Sequence, residues 1–170
     1  MITIRKAILN DTDCRSEFAC KTYVDAFGHS FQPEDLQTHL DTHLSLESFK
    51  RILERDTVLI VKMNHHLVGF CQFGLATGYT EAGQDSEGLI ERMYVGKEYQ
   101  NQGVGSLLMK VVLDQMRQEK VTRVFLDVWE HNPGAIRFYQ RFGFEVIGRQ
   151  KFVVSSGAET SDDLVMICSL

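Results

Sequence analysis

The spacing of apolar residues changes along the chain, and each change marks an element. Residues 2–6 alternate as a strand does, and Asn10 to Thr12 offer caps for a helix whose apolar positions run through Phe18 and Val24 to about Phe27, where Gly28 ends it. Pro33 opens a second short helix with Glu34 and Asp35 in its first turn, and Ser45, Glu47 and Ser48 start a third that runs to about Arg55. Residues 57–63 and 67–76 are two apolar runs joined by Asn64, His65 and His66, the pattern of a β-hairpin. A polar loop over 77–87 leads into an apolar strand at 89–95. After it comes a long helix, with Leu107, Leu108, Val111, Val112 and Gln115 or Met116 expected on its buried face. A further strand is expected at 122–129, and a closing hairpin over 144–154 and 163–169 around a loop at 155–162. This order predicts an α/β (α+β) fold with a mixed, mostly antiparallel central sheet of about seven strands and helices on both faces.

The length of 170 residues suits a single domain spanning 1–170, large enough to bury a core without covalent staples. Cys14, Cys20, Cys71 and Cys168 are scattered without a Cys-x-x-Cys pair, which argues against a zinc site and for a reducing compartment. No apolar run approaches the ~20 residues of a membrane span, so a cytoplasmic protein without a membrane partner is expected. A net charge of −5 disfavours nucleic acid and favours cationic partners. The reading leaves room for a homodimer.

The candidate chemistry begins at Gln100, Asn101, Gln102, Gly103, Val104, Gly105 and Ser106, between the 89–95 strand and the long helix. A glycine-bearing turn that enters a helix presents unpaired N–H groups at the positive end of the helix dipole, which is a cradle for an anion. A nucleoside triphosphate loop requires Gly-Lys-Ser/Thr, and a dinucleotide loop requires a third small residue where Leu108 stands, so neither fits. A tight strand-to-helix connection without a ligand is the structural alternative. A second segment brackets a helix of about ten residues: Asn132 is a preferred cap, Pro133 suits the first helical position, and Gly143 suits the left-handed residue beyond the last turn. Tyr139 lies two turns from Asn132, on the same side.

Gln-x-x-Gly-x-Gly at Gln100 to Gly105, with Asn132, Ala135, Tyr139, Gly143 and Phe144, resembles the two signatures of the GNAT acetyltransferase superfamily. Short blocks, Ile-Glu-Arg-Met-Tyr-Val, Val-Trp-Glu-His-Asn and residues 22–31, look most like the bacterial PaiA-type spermidine/spermine N-acetyltransferases. The resemblance implies the GNAT fold, acetyl-CoA as co-substrate with no metal, and a small-molecule amine as acceptor. It further implies that backbone groups of Met93, Tyr94 and Val95 pair with the pantetheine arm and that N–H groups of 101–106 hold the pyrophosphate. A backbone N–H near Tyr94 would stabilise the oxyanion, and Tyr139 would assist thiolate departure; a packing role is the alternative for Tyr139.

Glu91 and Asp127 are acids within apolar strands, where an unpaired carboxylate is costly, so each is a candidate base; pairing of Glu91 with an arginine is equally compatible. Glu130 reads as a loop acid, Trp129 as packing, and Arg141 as either a phosphate contact or a solvated charge. His39 and His43 have metal-ligand spacing without a third ligand, which favours an amphipathic helix. Glu34, Asp35, Asp41 and Glu47 are expected in the wall around a cationic acceptor, most simply spermidine or spermine, with protein N-terminal or lysine acetylation and a non-catalytic coenzyme A module as the rival readings.

Overall fold

The computed structural model describes residues 1–77, 86–153 and 159–170. Among them are seven strands, β1 (Ile2–Lys6), β2 (Thr57–Met63), β3 (His66–Leu75), β4 (Glu87–Val95), β5 (Arg123–Trp129), β6 (Glu145–Val153) and β7 (Glu159–Ser169). They form one mixed, mostly antiparallel sheet, as the order of elements predicted, with the strands in the order β1-β2-β3-β4-β5-β7-β6 and β4 and β5 as a parallel pair. Five helices accompany it: α1 (Thr12–Phe27), α2 (Pro33–His43), α3 (Leu46–Arg55), α4 (Val104–Gln118) and α5 (Pro133–Gln140). No described helix is long and apolar enough to cross a membrane, and the four cysteines are free.

The chain divides into two compact units, one of Met1–Gln72 with Arg92–Val112 and one of Phe73–Glu91 with Leu113–Leu170. In the first, β1 runs antiparallel to β2, and the β2–β3 hairpin turns on Asn64 and His65 with φ of 49° and 70°, the left-handed pair of a two-residue hairpin loop. His66, expected in the turn, is the first residue of β3. The core of this unit packs Ala19 and Tyr23 of α1, Leu44, Phe49 and Ile52 of the α2–α3 region, and Val58, Ile60 and Phe70 of the sheet. Phe70 sits at the centre, edge-on to Phe49 at 5.9 Å and to Tyr94 at 5.2 Å. Full burial of a side chain of this size contributes roughly 2 to 3 kcal/mol relative to exposure. Asp11 fastens β1 to the start of α1 by accepting two bonds from the Arg5 guanidinium at 2.8 Å each and one from the Ile8 N–H at 2.9 Å. That clasp pulls its carboxyl down to about 2.

In the second unit, β5 pairs antiparallel with β7, and β7 with β6, through registers that join Trp129 to Asp163 and Gln150 to Asp163. An irregularity between Val146 and Gly148 bends β6. Glu87, expected at the end of a polar loop, is instead a strand residue only 1% exposed, and an ion pair with Arg123 offsets its desolvation. The rest of that loop, 78–85, lies outside the described residues. The expected 155–162 loop is shorter: β7 already begins at Glu159, and 154–158 lie outside the described residues.

Helix α4 departs from its predicted phase. It starts at Val104, inside the glycine motif, and its buried residues include Val104, Leu108, Met109, Val112, Leu113 and Met116, whereas Leu107 is 41% exposed. At 100° per residue, the point where the helix leaves the turn fixes which residues face inward, and apolar residues adjacent in sequence satisfy two neighbouring phases equally well.

Candidate active site

The first unit carries the glycine turn. β4 ends at Val95, a short 3-10 turn covers Lys97–Tyr99, and the chain enters α4 through Asn101 and Gly103, both left-handed, with φ of 59° and 83°. Leu107 N–H to Gly103 C=O, 2.9 Å, is the first bond of the helix, so the N–H groups of Val104, Gly105 and Ser106 precede the intrahelical ladder. Alternation of left- and right-handed residues ahead of a helix makes a concave nest of N–H groups with the charge preference of an anion site. The two glutamines brace this turn from outside: Gln100 Nε2 donates to the Val95 carbonyl at 3.1 Å, and Gln102 Nε2 donates to the Glu98 carbonyl at 2.7 Å. Their amides thus rigidify the cradle. Gly105 has an ordinary helical conformation, and the unusual dihedral belongs to Gly103.

Strand β4 supplies the edge beside the cradle. Its ladder to β5 pairs Glu87–Ile90 with Arg123–Leu126 and stops there, although β4 continues to Val95. Backbone groups of a strand that leaves its neighbour need another partner, and Met93, Tyr94 and Val95 occupy this stretch, all half-buried. Glu91, within the same strand, is exposed. Strand alternation turns Arg92 and Tyr94 to the face that packs on Phe70, which leaves Glu91 on the other.

The second unit holds the other signature. Asn132 caps α5, accepting from the Ala135 N–H at 3.1 Å, and Pro133 is the first helical residue. Gly143, with φ of 85°, turns the chain into β6. Tyr139 is half-buried, with its ring held edge-on by Phe138 at 5.4 Å and Phe144 at 5.9 Å, and its carbonyl receives the Phe142 and Phe144 N–H groups. The aromatic neighbours fix the direction of the ring.

Asp127 is half-buried on β5 and accepts from Gln150 Nε2 at 2.5 Å. It belongs to a carboxylate group that the linear sequence hides, because the pairing of β5 with β7 assembles it: Asp127, Glu130, Asp162 and Asp163. Glu130 is more than a loop acid, since it accepts the Asp162 N–H at 3.1 Å and an Arg149 N–H at 2.7 Å, and these bonds hold its carboxyl below the usual range. Asp163 moves the other way, up to about 6, through burial first and then repulsion from Asp127, Asp162 and Glu130. Above pH 6 its charge weakens the native state. As pH falls from 7 toward the ordinary value near 4, the native protein takes the proton before the unfolded chain does, and stability from this group rises. Asp163→Asn should therefore raise stability at about pH 7.5 by about 1 kcal/mol, a value discounted for partial exposure, with the gain vanishing toward pH 4. Thermal melts across that range test this, and a loss of stability at about pH 7.5 would contradict it.

The profile of the acetyltransferase (GNAT) family matches residues 17–144, which contain both signatures. The chain belongs to the GNAT acetyltransferase family. The GNAT fold is shared with the crystal structure of a PaiA N-acetyltransferase from Thermoplasma acidophilum in complex with coenzyme A, at a TM-score of 0.81 and 18% identity over 100% of this chain and 99% of that one. Among curated GNAT relatives, the spermine/spermidine N(1)-acetyltransferase of Bacillus subtilis is 34% identical over 87 residues, 51% of this chain and 57% of that protein. The match thus spans little more than half the length of that relative. An uncharacterized N-acetyltransferase of Mycobacterium tuberculosis is 27% identical over 95% of this chain and 99% of its own.

Sequence reasoning missed two groups that the tertiary structure of this GNAT chain exposes. One is the Asp163 carboxyl; its only linear signal was an acid pair at a predicted strand start. The other is Arg92, whose charge acts on His39 and His43, the pair already noted on α2. His39 stacks on Tyr23 at 4.5 Å and lies 4.7 Å from His43, so the pair is part of an aromatic α1–α2 contact. Glu34, Asp41 and Glu47 are exposed and Asp35 is half-buried. The part of α2 turned toward Tyr23 carries His39.

Proposed function

We propose that this protein transfers an acetyl group directly from acetyl-CoA to a primary amine, as a single functional domain. The observation that carries the reading is the pairing of a left-handed, N–H-lined turn at Asn101 and Gly103 with a β4 edge that has left its parallel neighbour. The first is suited to a pyrophosphate and the second to an extended amide-bearing arm, so together they suit coenzyme A. In this reading the amine nitrogen attacks the thioester carbonyl, the C–N bond forms, a backbone N–H near Tyr94 holds the oxyanion, and the C–S bond breaks. Tyr139 donates to the departing sulfur. A phenol, with a reference value of about 10, is a weak acid toward a thiol of about 8.5, so its proton is shared as the bond breaks and is not transferred beforehand. No cysteine occupies either signature, which supports attack without an acyl-enzyme. Of the two candidate bases, Asp127 is the better supported, since it is half-buried within a carboxylate group while Glu91 is exposed.

The acceptor proposed is a polyamine such as spermidine or spermine. Support comes from the Bacillus subtilis relative and from the carboxylates around Asp163, whose mutual repulsion a bound polycation would relieve. A peptide amine is the rival. Mass spectrometry of the protein incubated with acetyl-CoA and a panel of polyamines, amino acids and N-terminal peptides tests both. Binding through partly exposed carboxylates is Coulombic and is screened over about 8 to 10 Å at physiological salt. The KM for spermidine should therefore rise several-fold with added salt while that for acetyl-CoA changes less. Faster acetylation of an uncharged peptide, with a salt-independent polyamine KM, would replace the polyamine with the peptide.

A further inference from the structure

The face of the first unit that carries Tyr94 is basic. Arg92 lies two residues before Tyr94 on β4, so both side chains leave one face of the strand. Arg92 Nη1 also donates to Gln72 Oε1 at 2.8 Å. Gln72 is only 1% exposed, and its Nε2 donates in turn to Asp56 Oδ2 at 2.5 Å. The guanidinium is therefore aimed by a buried neutral amide and, among the described residues, meets no carboxylate at ion-pair distance. Asp56 is engaged instead by the Arg55 guanidinium, at 3.0 and 2.9 Å, and by Gln72.

The remaining neighbours are cations, neutral groups and two acids, Asp11 and Asp41, that act on Arg15 and Cys20. From α1, the fully buried Arg15 lies 4.3 Å over the Phe49 ring, and among the described residues its Nε and Nη1 have no acceptor. Asp11, close enough to act on Arg15, is already clasped by Arg5 and faced by Lys62 at 3.6 Å. Cys20, also from α1, is held as the thiol by burial and then by Asp41. From α2, burial comes first in lowering His39 and His43, and the Arg92 charge lowers both further; His39 falls to about 4. A half-buried guanidinium left without an acid raises the free energy of any cation brought beside it.

An alkylammonium cannot attack a thioester until it has lost a proton, and a fixed cation nearby favours that loss. We propose that Arg92 is an acceptor-site residue whose positive charge drives a proton from the reacting ammonium, so that the amine enters the attack neutral. The inference rests on the acetyl-transfer reading, in which the reaction occurs beside Tyr94. The ammonium N–H bond breaks and its proton passes by water to the carboxylate base. The freed lone pair then forms the C–N bond, the C–S bond breaks with its electrons on sulfur, and the second nitrogen proton leaves to water. Gln72 and Asp56 act through Arg92 as positioning residues.

The test is the pH dependence of kcat at saturating spermidine, or whichever primary amine is turned over, because kcat reports groups ionising in the bound complex. In the unaltered protein the acidic limb should lie at least one pH unit below the solution value of that amine. Arg92→Gln should move the limb upward by about one unit, which lowers kcat roughly tenfold at neutral pH, and should lower the acceptor KM because a repulsion is gone. Arg92→Lys, which keeps the charge, should restore the profile. With a weakly basic amine that is neutral at the assay pH, Arg92→Gln should cost little. A wild-type limb at the amine's solution value overturns the inference without any variant. It also falls if Arg92→Gln raises KM and leaves the limb in place, because Arg92 would then be holding the acceptor. Turnover with an unshifted limb overturns this inference alone, whereas no coenzyme A release with any amine overturns the acetyl-transfer reading and this inference with it.

Discussion

Tyr139→Phe should lower kcat for acetyl transfer by roughly 10²-fold or more, with acetyl-CoA affinity nearly unchanged. The substitution removes one oxygen and keeps the ring that Phe138 and Phe144 hold in place, so α5 and the turn at Gly143 should survive it. A hydrogen bond to a departing thiolate exists only once the C–S bond is breaking. Its loss therefore falls on kcat and kcat/KM together and spares ground-state binding. The measurement is steady-state turnover beside calorimetric titration of acetyl-CoA. Near-normal turnover in the variant would assign Tyr139 to packing and leave protonation of the sulfur to water. Such a result would not touch the coenzyme site, which rests on other residues.

Gly105→Val should weaken acetyl-CoA binding by at least tenfold, about 1.4 kcal/mol, in a protein that still folds. Gly105 sits in the first turn of α4, where valine is an acceptable helical residue but its methyl groups stand among the N–H groups of Val104, Gly105 and Ser106. The neighbouring glycine separates conformation from access. A Cβ on Gly103 would meet nothing within 4 Å, so Gly103→Ala acts through the cost of holding φ at 83°. That cost is about 1 to 2 kcal/mol and should appear mainly as lost stability. Unchanged affinity in a folded Gly105→Val protein would remove the pyrophosphate from this turn.

Local punctuation carried a great deal of this protein into the sequence. Asn132, Pro133 and Gly143 bounded α5 because capping, ring constraint and left-handed backbone are properties of single residues and their immediate neighbours. The same holds for the Asn64–His65 hairpin turn and for the glycine turn into α4. The seven strands were legible because their apolar runs change period at polar turns.

What the sequence left open depends on partners distant along the chain. Glu91 and Arg92 are adjacent in an apolar run, and alternation says only that they face opposite ways. The packing of Tyr94 on Phe70, with Gln72 bonding Arg92, decides that the arginine is the one turned toward the core of the first unit. The buried face of α4 was misplaced because two phases of its apolar residues were equally good until the helix start at Val104 selected one. Asp163 looked like the polar end of a strand. Its carboxyl is raised by burial first and then by Asp127 and Glu130, which the pairing of β7 with β5 brings against it. The sequence by itself determined the elements, the family and the chemistry on offer, since these follow from local conformation and short motifs. Tertiary structure alone decided which charges are buried beside which, because desolvation and Coulomb energy depend on distances between residues that the linear order does not contain.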